Sequence, residues 1–372
     1  MSAIERYLAT PGVAMEGIDD FEAATELAQG RGWGDGLPIV PPTAARVERM
    51  LAYCDRPWDG PIAQMPPRNG EATPLRIAAN AVMAGCRPQY FPLLLLAVEA
   101  MCEKTLNLYG LQTTTHPVAP LVIVNGPVVR ELDINGGHNA FGPGWPANAT
   151  IGRAIRLILL NIGGAIPTVG DMATMGQPGK YSFVVAENEA ANPWEPLHVE
   201  RGFGHETSTV TVIGAEAPHN INDHESDTGE GILQMVSGTL AITGHNNVYY
   251  RSEPLVALGP EHARTIAAGG YSKADVKRYI FEHATVPLGR FSRRNYERRL
   301  LVNFPGRYDD APPETPVPPC QSADDVMVIV LGGAGKHSMY IPTFGETRSV
   351  TKALKLADGR EARSVEAFRS QV

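Results

Sequence analysis

The chain is short of charge, of cysteine and of long apolar runs, and each shortage closes a class. Asp, Glu, Lys and Arg make up 19% of the 372 residues, below the ~25% of an average soluble domain. Hydrophobic residues make up 43%, which excludes a disordered chain and a coiled coil. Positive charge is scarcer still, with 32 Lys and Arg against 40 Asp and Glu and a net charge of −8. The densest basic stretch, Arg290–Arg299, is interrupted by Glu297 and reads as the solvated face of a helix. Without a basic face to displace counterions, nucleic acid is not an expected partner. The longest apolar-rich stretch, Tyr90–Met101, carries Pro92 and Glu99 and is too short to cross a bilayer, so no membrane partner is expected either. The first twenty residues lack the basic start and apolar run of a secretory leader. Cys54, Cys86, Cys102 and Cys320 form no CxxC pair; no disulfide framework or zinc ribbon is indicated, and a reducing cytoplasm is the expected setting.

What the chain has in excess is glycine and proline, 38 and 31 residues. The glycines follow no triplet period, so the excess points to tight turns and ordered loops, where sites tend to lie. Helical spacing marks Asp20–Gly30, Leu75–Cys86, Pro92–Lys104, Asn148–Asn161, Glu230–Thr243 and Ser272–His283. Short apolar runs at Pro120–Asn125, Tyr181–Ala186, Thr207–Ile213, Pro254–Leu258 and Asp325–Leu331 read as buried strands. The expected fold is α/β or α+β, a mixed sheet flanked by helices. Residues 1–304 form the main part, divisible into lobes 1–125 and 126–304. Residues 305–322 carry six prolines and read as a surface linker lacking helix or sheet pairing through most of its length. Residues 323–372 supply a C-terminal strand and a glycine loop. No internal repeat is evident.

Histidine is unevenly spread: five of ten lie between positions 198 and 245, among several carboxylates. Imidazole and carboxylate together are the ligand set of Zn, Fe, Mn or Ni. His198 and Glu200 share one face if "HVE" is extended, and His219, Asp223 and His224 lie in what reads as a loop after a strand. These five are the expected metal ligands, although their spacing matches no known metal motif and surface histidines would look the same. Glu187 and Glu189 follow an apolar strand and can act as general acid and base, or lie solvated on a rim. Asn80, His138, Asn139, Lys336 and His337 are the expected substrate-binding residues. His138 and Asn139 lie in a Gly/Asn-rich loop, and Lys336 and His337 end "GGAGKH". That loop can form an amide nest for an anion, but it is neither a phosphate-binding GxxxxGK[ST] loop nor a GxGxxG, so no nucleotide cofactor is indicated. Cys86, beside Arg87, is the candidate thiol nucleophile.

"WGDGLPIVPPT", "AANAVMAGCRPQYFP", "HPVAPLVIVNGP", "NATIGRAIRLILLNIGGA", "AENEAANPWEPLHVERGF" and "GGAGKHS" together resemble bacterial proteins related to, or encoded beside, the small selenoprotein family named for its U-G-S-C motif. This chain has no such quartet, and "PPCQS" at Cys320 does not replace it. The resemblance therefore implies a bacterial, cytoplasmic enzyme of small-molecule metabolism and transfers no thiol or selenol chemistry. The leading expectation is a metal-dependent hydrolase or lyase for a small polar or anionic substrate. The alternatives are a Cys86-based enzyme that cleaves C–S or C–heteroatom bonds with a small redox partner protein, and a non-catalytic subunit or ligand-binding module. A homo-oligomer is compatible with all three.

Overall fold

A computed structural model of the chain describes residues 20–369; the segment read above for a leader lies outside them, apart from Asp20. The strands are β1 (Ala63–Met65), β2 (Gly70–Ala72), β3 (Ala119–Asn125), β4 (Val184–Ala186), β5 (Thr209–Ala215), β6 (His219–Asn222), β7 (Leu255–Leu258), β8 (Val286–Pro287), β9 (Pro316–Val317), β10 (Met327–Val330), β11 (His337–Ile341) and β12 (Val350–Ala353). Two pairs, β1–β2 and β8–β9, are small ribbons; the other eight strands form two four-stranded mixed sheets, ordered β12-β5-β3-β4 and β10-β7-β11-β6.

Alternation along the strands shows how the sheets are stacked. In β3, Leu121 and Ile123 join a core shared with Leu255 and Ala257 of β7 and with Met327 and Ile329 of β10. Val122 and Val124, one residue out of phase, face a core built with the helices Pro74–Ala84, Phe91–Met101 and Pro146–Asn161. On the other sheet, Val256, Leu258, Val328 and Val330 face the helices Gly229–Leu240, Pro260–Ala268 and Lys273–His283. The molecule is thus four layers deep, helix–sheet–sheet–helix. This is why "LVIV", "LVAL" and "MVIV" are continuous apolar runs: both faces of each strand are covered. Each such side chain contributes ~1.5–3 kcal/mol by leaving water.

The two sheets share one plan. β3 runs parallel to β4 and antiparallel to β5, which is antiparallel to β12. β7 likewise runs parallel to β10 and antiparallel to β11, which is antiparallel to β6. In chain order, β3, a helical connection, β4 and β5 match β7, a longer helical connection that also carries the β8–β9 ribbon, β10 and β11. The fourth strands are exchanged: β6, following β5, completes the second sheet, and β12, following β11, completes the first. The crossing links bind each other, with the Glu216 amide donating to the Pro342 carbonyl (2.8 Å) and the Phe344 amide to that of Gly214 (2.9 Å). An internal repeat is therefore present, contrary to the sequence reading. Its trace is "PLVIVNGP" at Pro120–Pro127 and "PLVALGP" at Pro254–Pro260. A Cβ on Gly126 would lie 2.5 Å from the Thr207 carbonyl oxygen, and one on Gly259 would lie 2.1 Å from that of His337. Each glycine thus packs against a carbonyl just before or at the start of the neighbouring antiparallel strand, and only glycine allows the approach in each half.

Other expectations change. "LHVE" forms the short helix Leu197–Glu200 rather than an extended segment, and His219–Asn222, read as loop, is a strand with only Ile221 buried. The proline-rich segment lacks helix and sheet through most of its length, as expected, apart from Pro316–Val317, which pairs with Val286–Pro287; its Tyr308, Val317 and Cys320 are buried, so it is an ordered loop packed on the body. The C-terminal segment supplies strands to both sheets and adds Val365 and Phe368 to the first helical core. Among the described residues, no helix is long and apolar enough to cross a membrane.

Candidate functional site

The first chemical cluster lies where β3 and β4 end. Glu187 follows β4 and is buried. Its Oε2 accepts from Asn125 Nδ2 (2.7 Å) and the Leu197 amide (2.8 Å), and its Oε1 from Asn192 Nδ2 (2.9 Å) and, weakly, the Val330 amide of the other sheet (3.5 Å). Burial pushes its carboxyl above the ordinary range, against the opposing pull of Lys273 and these donors. Glu187 is saturated and clamps one sheet to the other; it has no free oxygen for a substrate proton. Glu189 Oε1 accepts from Asn125 Nδ2 (2.9 Å) and the Gly126 amide (2.7 Å). His198 is fully buried; its Nε2 lies 3.3 Å from the His205 carbonyl, and its Nδ1, without a hydrogen bond, lies 3.8 Å from Glu189 Oε1.

The expected metal ligands are not gathered into one shell. Glu200 is ion-paired to Lys273 Nζ (2.6 Å) and Lys277 Nζ (2.8 Å). Burial would raise its carboxyl, but the two lysines outweigh burial and hold it below the ordinary range. The helical turn at 197–200 separates His198 from Glu200, since residues two apart on a helix do not share a face. His219 is exposed on the edge strand β6, and Asp223 is buried with Oδ1 accepting from the Ser226 amide (3.1 Å). His224 is exposed and pairs instead with His337, Nε2 to Nε2 at 3.2 Å. Among the described residues, no group of three or more His, Cys, Asp or Glu is placed to hold a metal ion.

Two further candidates are occupied. Asn80 Nδ2 donates to the Arg76 carbonyl and Oδ1 accepts from Asn161 Nδ2 (2.7 Å), so the side chain belongs to helix–helix packing. The Cys86 thiol donates to the Thr150 carbonyl (3.2 Å), and burial pushes it up to about 12.

The second cluster lies at the carboxyl ends of the parallel strands β7 and β10, the edge where α/β sheets bind ligands. A cleft of ≈ 440 Å³ opens there, lined by His138, Asn139, Phe141, the 332–335 glycine loop, His337 and Ser338. His138 and Asn139 arrive from the β3–β4 connection, and the His138 ring packs so closely on Gly333 that a Cβ would lie 2.1 Å from Nδ1. Gly332 and Gly335 take φ of +97° and +134°, which curls the loop. The Gly335 amide is held by Glu261 Oε1 (2.7 Å), whereas the amides of Gly333 and Ala334 donate to none of the described residues. Lys336 is not in the lining; its Nζ donates to the His224 carbonyl (2.7 Å) and fixes the neighbouring 223–226 loop. Three of the five expected substrate-binding residues, His138, Asn139 and His337, thus meet in one cleft.

Sequence reading missed Ser338 and His262. Ser338 Oγ accepts from the Gly259 amide (3.0 Å) and lies 2.7 Å from His262 Nδ1. His262 Nε2 lies 3.0 Å from the Asp223 carbonyl oxygen. A carbonyl only accepts, so Nε2 carries the hydrogen and Nδ1 is free to accept from the serine. The available signal was "GPEH" after β7, where the matching turn after β3 reads "GPVV". A larger cleft of ≈ 660 Å³ includes Arg156, Asp171 and Lys180, where both cations are held on the one carboxylate, Asp171 to Arg156 Nη2 (3.1 Å) and to Lys180 Nζ (2.7 Å). Comparison with protein-family models, curated proteins and solved structures gives no match.

Proposed function

We propose that the chain is an enzyme of small-molecule metabolism, hydrolytic or lyase-type, that takes a small polar or anionic organic substrate in the cleft above the glycine loop. One observation carries this reading: the amides of Gly333 and Ala334, which donate to none of the described residues, lie in the same ≈ 440 Å³ cleft as the imidazoles of His138 and His337. Oriented amides favour a carboxylate or a developing oxyanion, and an imidazole exchanges protons near neutral pH. Four free cysteines suit a reducing compartment, which the proposal takes to be the cytoplasm. The resemblance to the U-G-S-C-related group brings no reaction into this reading. The test is a panel of small carboxylate esters, thioesters and hydroxy acids, assayed with the wild-type chain and with Gly333→Leu, whose side chain would displace the His138 ring and remodel the cleft. Turnover by wild type that is lost in the variant supports the site; turnover that survives the variant overturns it.

A second reading keeps the divalent ion. It rests on the Nε2 atoms of His224 and His337, 3.2 Å apart, close to the spacing of two ligands each ~2.0–2.1 Å from one zinc. Elemental analysis of the purified protein, with and without His224→Ala, decides it: metal that persists in the variant removes the pair from consideration.

A further inference from the structure

The two halves of the chain provide a comparison that separates scaffold from chemistry. Ser208 is the residue before β5 and Ser338 is the second residue of β11. Each accepts a buried amide from the turn that follows the first strand of its half, Ser208 from Val128 (3.0 Å) and Ser338 from Gly259 (3.0 Å). A serine that accepts a turn amide thus occurs in both halves, but an imidazole beside it does not: the position three residues beyond Gly126 is Val129, and the position three beyond Gly259 is His262. Only the second half places a histidine on its serine, fixes that histidine's other nitrogen on the Asp223 carbonyl, and opens the serine to a cleft.

We infer that Ser338 and His262 are a nucleophile–base pair for acyl transfer to water, with a small ester or thioester as substrate. The inference rests on the cleft being the substrate site. In the first step the Ser338 hydroxyl proton moves to His262 Nδ1, Oγ bonds to the acyl carbon, and the carbonyl electron pair moves onto its oxygen, towards the amides of Gly333 and Ala334. The tetrahedral adduct collapses, the bond to the leaving alcohol or thiol breaks, and that group takes the proton from Nδ1. Water then attacks the acyl-serine, gives its proton to Nδ1, and the carboxylic acid departs as Oγ recovers the proton. Nε2–H stays on the Asp223 carbonyl throughout and holds the ring in the tautomer the first step needs. The Gly259 amide, already donating to Oγ, lowers the cost of negative charge on that atom.

The test needs no natural substrate. The full chain is treated with a small alkyl fluorophosphonate, and the modified residue is located by peptide mass spectrometry. Labelling of Ser338 with Ser208 untouched, slowed ~100-fold or more in His262→Gln, is the expected result. Because Ser338→Ala also removes an acceptor for a buried amide, Ser338→Cys serves as the second variant, with alkylation by iodoacetamide at neutral pH expected to depend on His262. In parallel, binding of acetate and of propionate is followed by thermal shift in wild type and Gly333→Leu. An unlabelled Ser338 together with carboxylate binding that Gly333→Leu abolishes overturns the pair and leaves the cleft. An unlabelled Ser338 with no such binding overturns both.

Discussion

Acidification from neutral to pH 4 should unload stability through a single buried imidazole. His245 lies against the second sheet, its Nε2 3.2 Å from the Leu240 carbonyl and its Nδ1 3.1 Å from the Tyr340 hydroxyl. Burial pushes its pKa down to about 4 from 6.5, against the opposing effects of the Leu240 carbonyl and of Glu216. The folded chain thus resists a proton that the unfolded chain accepts below pH 6.5. Stability from this group is complete above that value and lost as pH falls towards 4. Each pH unit between the two values is worth ~1.36 kcal/mol, so the drop amounts to about 3 kcal/mol. Carboxyls held low by ion pairs, such as Asp171 and Glu200, lose stability at still lower pH, and the raised carboxyl of Glu187 acts in the opposite sense. A difference measurement cancels all three. Urea unfolding is followed at pH 7, 6, 5 and 4 for wild type and His245→Gln. The two stability curves should converge by about 3 kcal/mol across the window, whatever their offset at pH 7. Parallel curves would refute the argument.

Glu187→Leu leaves the Leu197 amide without its acceptor and takes one of two acceptors from each of the Asn125 and Asn192 side chains; at ~1–3 kcal/mol per unsatisfied buried group, calorimetry should show a loss of about 3 kcal/mol or more. Cys86 should react with iodoacetamide at pH 8 only after unfolding, because its thiol is held at about 12; rapid modification of the native chain at that residue would restore the thiol nucleophile and its redox partner to consideration.

The layers were only partly legible in the sequence. Strands covered on both faces announce themselves as apolar runs, and β3, β7 and β10 were found that way. His219–Asn222 was not, because an edge strand buries one residue in four and "HNIN" carries no such run. Nor can composition reveal that β6 and β12 change sheets, since the exchange depends on which edge each strand meets after the crossing. The glycine loop and the His138–Asn139 turn were readable as ligand-facing because their residue types need special backbone geometry. The expected metal set lies apart in space for a different reason: histidines crowded along the chain need not be crowded in the fold, and a four-residue helical turn is enough to send His198 inward and Glu200 to its lysines. Ser338 and His262 lie 76 residues apart and become visible as a pair only through the fold.

The exchange of β6 and β12 has a consequence for how the molecule can be divided. Cutting the chain between Gly244 and Tyr250, where the first half ends, would give two fragments, each with a three-stranded sheet and one orphan strand reaching out. Neither would cover its own sheet edge, and each carries the strand the other lacks. Such fragments should be unfolded or aggregated when made separately and should reassemble when made together, as two subunits that trade arms. The continuous chain behaves as that pair permanently tethered, so its halves cannot open on a hinge without tearing a strand from each sheet, and motion at the cleft is left to the glycine loop and the turn carrying His138.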